Sequence, residues 1–315
     1  MTEHRNLQVL PSFSDSLSYL YIQHAVVERD AGSVCAISET GTVEIPVASL
    51  TTLILGPGTT ITHAAVKTLV DCGCSILWAG EDSLRCYAQG HGETRSSARL
   101  MEQARIWANP ALHEKVVLRM YRFRFAEELP EGLSLAQVRG MEGVRVREAY
   151  LAESRRTAVQ WTGRNYVRGA WSSADPINRA ISTGAACLNG ICHAAIVSSG
   201  YSPGLGFIHT GKMLSFVYDI ADLYRLDIVV PAAFQAVAEG AENVEPRVRA
   251  ALRIRVSDAH LLERVIADIG KLFAGLGESG RIKWADLPID TEPDPAIWNG
   301  KNTVSGGVQY GGDGS

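Results

Sequence analysis

Apolar side chains in the first 90 residues fall in short runs separated by turn residues. The runs at 17–29 (LSYLYIQHAVVER), 33–38, 42–46, 51–55, 74–78 and 84–89 are rich in β-branched, aromatic or other apolar residues. Asp30-Ala31-Gly32, Glu39-Thr40-Gly41, Gly56-Pro57-Gly58 and Gly80-Glu81-Asp82 punctuate them, and this pattern predicts strands joined by turns. One helix interrupts the strands: Thr62 can cap it, and 63–72 repeats apolar residues at helical spacing.

From residue 96 the period becomes helical. The stretch 96–128 reads as helix with a break at Asn109 and Pro110, and Ser134 can cap a helix running to about 160. Asp175 followed by Pro176 is an N-cap with proline at the first helical position, for a helix ending near Gly200. After a Gly/Pro loop at 200–211, helices are expected from Lys212 to about Arg225, over 231–239 and over 246–274. Beyond Gly275 the chain turns rich in Gly, Pro and Asp. The expected fold class is α+β: a small N-terminal β domain (1–92), a larger all-α C-terminal domain (93–280), and a flexible tail (281–315).

Composition narrows the partners. There is no P-loop, so ATP is not implied. The six cysteines contain no C-x-x-C pair, which excludes a zinc ribbon or a thioredoxin-like motif. No apolar run is read as a bilayer span and the N-terminus shows no signal-peptide pattern, so a cytoplasmic location with no membrane partner is expected. The net charge of −4 is unevenly spread. Residues 96–211 hold 14 Lys/Arg against 9 Asp/Glu, whereas 1–95 and 212–315 are net −5 and −4. The excess is nearly all arginine, which suits bidentate phosphate contacts. Solvated helix faces with Glu–Arg pairs would give the same count.

The densest chemistry lies at 206–222. His209 precedes a helix in a glycine-flanked loop, and Asp219 and Asp222, three residues apart, project from one face of that helix among Phe216, Val217 and Ile220. Buried carboxylates need a cation or an arginine to offset desolvation. Glu142 is the best third candidate: Gly140 and Gly143 flank it at ~1 kcal/mol each relative to Ala, with Arg139 and Arg145 three residues away on either side. One imidazole and two carboxylates suit Mg²⁺ or Mn²⁺, able to polarise a phosphoryl oxygen. Taken singly, each residue also fits a plainer role: a helix-start histidine, an ion-paired aspartate, a surface Glu–Arg pair.

The segments 205–212 (LGFIHTGK), 214–222 (LSFVYDIAD), 139–147 (RGMEGVRVR) and 56–66 (GPGTTITHAAV) resemble CRISPR-associated protein one, the spacer-acquisition integrase, and its subtype I-E branch. The similarity runs from about Leu10 to about Ala274. It implies an N-terminal β domain and a C-terminal helical domain, with Glu142, His209 and Asp222 as metal ligands and Asp219 as a second acid beside the site. It implies DNA contacts from Arg85, Arg139, Arg147, Arg164, Tyr166 and Lys212, with Arg145 adjacent. It also implies a homodimer, two such dimers bridged by a dimer of CRISPR-associated protein two, and assistance from integration host factor. The implied substrates are a prespacer duplex with 3′ overhangs and the CRISPR repeat, joined by transesterification. Two other readings remain beside this one: a structure-specific metal-dependent nuclease on branched DNA, and a non-catalytic DNA-binding scaffold. His24 stands where the family has a wedge tyrosine, basic residues expected near Thr60 and Val43 are absent, and the tail with Trp284 and Trp298 diverges.

Overall fold

Two four-stranded sheets form from the first 90 residues. In a computed structural model, which describes residues 19–30, 33–48, 50, 52–80, 86–92, 97–125, 128–130, 132–164, 175–276, 296–298 and 303–305, the first sheet has the order β1 (Tyr19–Ile22), β5 (Thr52–Leu55), β7 (Ser75–Ala79), β8 (Cys86–Gly90). Its first three strands are parallel and β8 is antiparallel. The second sheet has the order β4 (Gly41–Ile45), β3 (Ser33–Ser38), β2 (Val26–Asp30), β6 (Thr60–Ile61). Helix α1 (His63–Asp71) starts at Thr62, whose hydroxyl accepts from the Ala65 amide as expected.

The run 17–29, expected as one strand, is two. His24 adopts φ 52° and its amide donates to the Pro57 carbonyl at 3.0 Å, so the chain leaves one sheet there and enters the other. The periodicity could not reveal this corner, because both flanking segments are apolar. Strand β5 is buried along its whole length, as expected of a parallel strand covered on both faces. Leu53 and Leu55 enter a small core with Leu69 of α1, while Ile54 points into the large helical core. β7 divides the same way, Ile76 to one side and Leu77 and Ala79 to the other. The first sheet therefore joins the β-rich part to the helices.

The helices are α2 (Ala98–Ala108), α3 (Pro110–Phe123), α4 (Leu135–Thr157), α5 (Pro176–Ser198), α6 (Ser215–Tyr224), α7 (Val230–Ala238), α8 (Val244–Asp258) and α9 (Leu261–Phe273). A β-rich start followed by helices is the α+β class expected. The stretch 246–274 is split by His260, which takes φ 43° between α8 and α9. At the opposite end, within the stretch expected as a tail, β9 (Ala296–Trp298) pairs antiparallel with β10 (Thr303–Ser305).

Helix α5 is the axis of the bundle, packing against α6, α7, α8 and α9. Asp175 caps it by accepting from the Asn178 amide at 2.8 Å. An 18-residue window of this 23-residue helix has mean hydropathy 1.5, enough by length and composition to cross a membrane, contrary to the expectation that no run qualifies. With 72% of that window buried, the apolarity is spent on neighbouring helices. Gly184 marks the tightest crossing: a Cβ there would lie 2.7 Å from Val229 Cγ1 and 3.4 Å from Leu252 Cδ1. Gly184→Ala gains ~1 kcal/mol of helix propensity, against an overpacking cost of about 1–3 kcal/mol. A lowered Tm is the expected result.

Candidate active site around His209

Asp219 is fully buried on α6, and its carboxylate organises the loop that carries His209. Oδ2 accepts from the amides of Phe207 (2.5 Å) and Ile208 (3.0 Å), and Oδ1 from the amide of His209 (2.8 Å). Oδ1 also faces His209 Nδ1 at 2.7 Å. A carboxylate only accepts here, so the network assigns the proton to Nδ1 and leaves the lone pair on Nε2. The hydrogen bond to Asp219 holds the imidazole pKa above its ordinary value, outweighing partial burial, and the charge of Asp222 adds to this. Such a carboxylate–histidine pair fixes tautomer and ring direction in the way metal-ligating histidines require. The expectation that Asp219 and Asp222 share one face is thus refined: Asp219 turns into the loop and Asp222 does not.

Gly206 shows how tightly this loop is folded. A Cβ there would collide with the His209 carbonyl and lie 2.7 Å from the Ser215 Cβ. From the side of α2 and α3, Gln103 Nε2 donates to the Ser202 and Leu205 carbonyls, both at 3.1 Å, and Gln103 Oε1 accepts from the Ser202 amide at 2.7 Å. Trp107 Nε1 donates to the Gly206 carbonyl at 2.9 Å, and His113 Nε2 lies 2.8 Å from the Phe207 carbonyl.

Asp222 lies one turn further along α6. Its Oδ1 contacts Arg225 Nη2 at 2.7 Å, yet the alignment is poor: Oδ1 is buried and forms no hydrogen bond, and neither does Arg225 Nε. We regard the contact as an ion pair rather than a hydrogen bond. Arg225 opens a π-helical turn, Arg225–Val229, in which the Val230 amide donates to the Arg225 carbonyl. Pro231 follows; it lacks an amide, and a tight α turn would drive its ring against the Asp227 carbonyl. The widened turn accommodates this, and π turns recur at functional sites.

Glu142 is buried on α4 and held by two arginines. Arg124 Nη1 donates to Oε1 at 3.3 Å; Arg145 donates from Nε to Oε2 at 2.9 Å and from Nη2 to Oε1 at 3.3 Å. Among the described residues, no three His, Cys, Asp or Glu side chains converge closely enough to hold a metal ion. The expected set is therefore brought together only in part: His209 and Asp222 share one electrostatic neighbourhood, and the Glu142 charge is balanced by guanidinium groups. The donors still suit a divalent cation. The Nδ1 proton of His209 is the one given to Asp219, which leaves the Nε2 lone pair free in the neutral ring, and the buried Asp222 oxygen is ion-paired without a hydrogen bond. Glu142 offers a carboxylate whose pairing arginines are unequally buried, Arg145 at 26% exposure against 7% for Arg124.

Among the described residues, Gly140 and Gly143 do not serve a helix contact; a Cβ at either meets nothing within 4 Å. Of the expected DNA contacts, Arg139, Arg147, Arg164, Lys212 and His24 are exposed and Arg145 half-buried against Glu142. Arg85 and Tyr166 lie outside the described residues. Arg139 also sits over the Tyr121 ring at 6.0 Å. His24 Nδ1 packs against Gly58, where a Cβ would approach it to 2.5 Å. The arginine excess is partly structural. Arg105 donates to the Leu276 carbonyl, and Arg119 to the carbonyls of Leu272 and Ala274, at the end of α9. Arg124 and Arg225 were missed by sequence reasoning; an arginine three residues after Asp222 was the available signal for the second.

A family model described as CRISPR associated protein Cas1 matches residues 118–245, a span holding Glu142, His209, Asp219 and Asp222. A CRISPR-associated endonuclease Cas1 2 of Thermus thermophilus is 57% identical over 98% of this chain and 94% of its own length. This chain belongs to the CRISPR-associated Cas1 family. The Escherichia coli CRISPR-associated endonuclease Cas1 is 37% identical over 89% of this chain and 90% of its own. Among solved Cas1 structures, a TtCas1–DNA complex superposes with a TM-score of 0.79 at 60% identity, covering 84% of this chain and 100% of that one. A casposase bound to an integration product shares the fold, with a TM-score of 0.55 at 13% identity.

Proposed function

We propose that this Cas1 family member, of the subtype I-E branch, is the DNA integrase and endonuclease of CRISPR adaptation. It joins the 3′-hydroxyl ends of a prespacer with 3′ overhangs to the borders of a CRISPR repeat by transesterification. The observation that carries this reading is the Asp219-oriented imidazole of His209, which feels the charge of Asp222, on a chain whose relative is solved bound to DNA.

Mg²⁺ or Mn²⁺ would be held by Glu142, His209 and Asp222 and would polarise the scissile phosphate and the attacking hydroxyl. The chain's own residues do the rest. Asp219 fixes the His209 ring and holds its proton on Nδ1, so that above the raised pKa the Nε2 lone pair is free to bind. Arg225 and Arg145, which contact Asp222 and Glu142, would stabilise the negative charge that accumulates on the phosphate during transfer. Arg139, Arg147, Arg164 and Lys212, joined by Arg85 and Tyr166, track the backbone and contribute a salt-dependent share of affinity. A homodimer, a bridging dimer of CRISPR-associated protein two and integration host factor complete the working assembly.

The relatives are named endonucleases, and this favours a second outcome at the same site, hydrolysis of branched DNA with water as nucleophile. An assay with labelled prespacer, repeat DNA and the partner subunit separates the readings. Integration yields a new joint between label and repeat that requires Mg²⁺ or Mn²⁺ and vanishes with chelator. Hydrolysed ends alone would assign the nuclease. A joint formed equally without divalent metal would overturn the metal assignment, and duplex binding with no product would leave a scaffold.

A further inference from the structure

We infer that Gln103, Trp107 and His113 form a clamp that positions the His209 imidazole by holding the carbonyls of its loop, as Asp219 holds the amides. The division is chemical. Asp219 offers only acceptors and takes the amides of Phe207, Ile208 and His209. The clamp supplies donors to the carbonyls of Ser202, Leu205, Gly206 and Phe207.

Each member is placed for this task. Gln103 has no exposed surface, and its amide group is spent on the loop in both directions. Trp107 is 40% exposed, and its Nε1–H is given to the Gly206 carbonyl at 2.9 Å. His113, on α3, lies with Nδ1 3.0 Å from the Trp107 carbonyl and Nε2 2.8 Å from the Phe207 carbonyl; a neutral imidazole donates to one of them, and the shorter contact reaches the loop two residues before His209. The α2–α3 elbow is fixed, because Asn109 caps α3 by accepting from the amides of Ala111 and Leu112. Gly206 has no room for a side chain, because a Cβ there would meet the His209 carbonyl and Ser215, so the chain between clamp and imidazole is closely packed. The three are positioning residues that act through His209, and their effect on turnover rests on the role proposed above for that histidine.

The test uses the full-length protein with its partner subunit and three variants: Trp107→Phe, which keeps the ring and removes the donor; His113→Leu; and His113→Gln, which keeps one amide donor. Hydrogen exchange of the peptide spanning 203–212 should speed up at least about tenfold in Trp107→Phe and His113→Leu, with α5 peptides unchanged. Strand-transfer kcat should fall about tenfold, within the range seen when groups orienting a ligand histidine are removed, with KM and duplex affinity unmoved. His113→Gln should recover most of both. Unchanged exchange at 203–212 would overturn the clamp. So would faster exchange with unchanged kcat, or equal losses at every peptide, which mark plain destabilisation. Retained strand transfer in His209→Ala would instead sink the functional reading, while the exchange result would still decide whether the clamp exists.

Discussion

Asp219→Ala is expected to destabilise the protein by about 3–5 kcal/mol and to reduce strand transfer below detection. Three backbone amides lose their acceptor together, and the Phe207 amide is enclosed by a residue only 3% exposed. Leaving a buried donor unsatisfied costs about 1–3 kcal/mol, and bonds to an ionised acceptor are the stronger kind. Water reaching the exposed end of the loop near His209 brings the total below a simple sum. Urea unfolding checks the stability and a prespacer joining assay the activity.

Asp219→Asn isolates the proton. Asp219 raises the His209 pKa, so the pair contributes stability fully present below the ordinary imidazole value of about 6.5 and lost as pH rises through the raised value. For ligation the sign reverses. Nε2 must be free of its proton, so wild-type strand transfer falls as pH drops through the raised pKa. Removing the charge of Asp219 lowers that pKa and should move the acid limb of the pH–rate profile to lower pH. A limb that stays in place would show that another group sets it.

How much of this was legible beforehand depends on what local pattern encodes. Helix starts were legible because caps are local chemistry: Thr62, Ser134 and Asp175 each accept from the amide three residues ahead. The corner at His24 and the break at His260 were not, because a residue in the left-handed region leaves the apolar period on both sides intact. His209, Asp219 and Asp222 stood out through their density in one short segment. Their division of labour did not, since spacing at i and i+3 places two carboxylates on a face without saying which one the preceding loop claims. Gly140 and Gly143 suggested a close neighbour, yet among the described residues a Cβ at either meets none. The clamp residues are about 100 positions from the loop they hold, at separations no local pattern reports.

Glu142→Ala should differ from His209→Ala and Asp222→Ala in a way that tests the ligand assignment itself. All three are expected to abolish joining while duplex binding persists. Only the first should also lower Tm strongly. Arg124 is 7% exposed at its side chain, and its Nε and Nη2 already lack hydrogen-bond partners. Without the Glu142 carboxylate it becomes a buried uncompensated charge, a loss of about 3–5 kcal/mol. Arg145, more exposed, can turn to water. Asp222 faces an arginine that is 33% exposed, so breaking that pair costs about 0–1 kcal/mol. His209 leaves Asp219 still bonded to three amides. Removing the stranded charge as well, in Glu142→Ala with Arg124→Met, should restore Tm without restoring joining. If the double variant regains joining along with stability, Glu142 acts by neutralising Arg124, and the cation is held without it. Restored stability with joining still lost means that this carboxylate is required for joining itself, since its role in the fold has then been replaced.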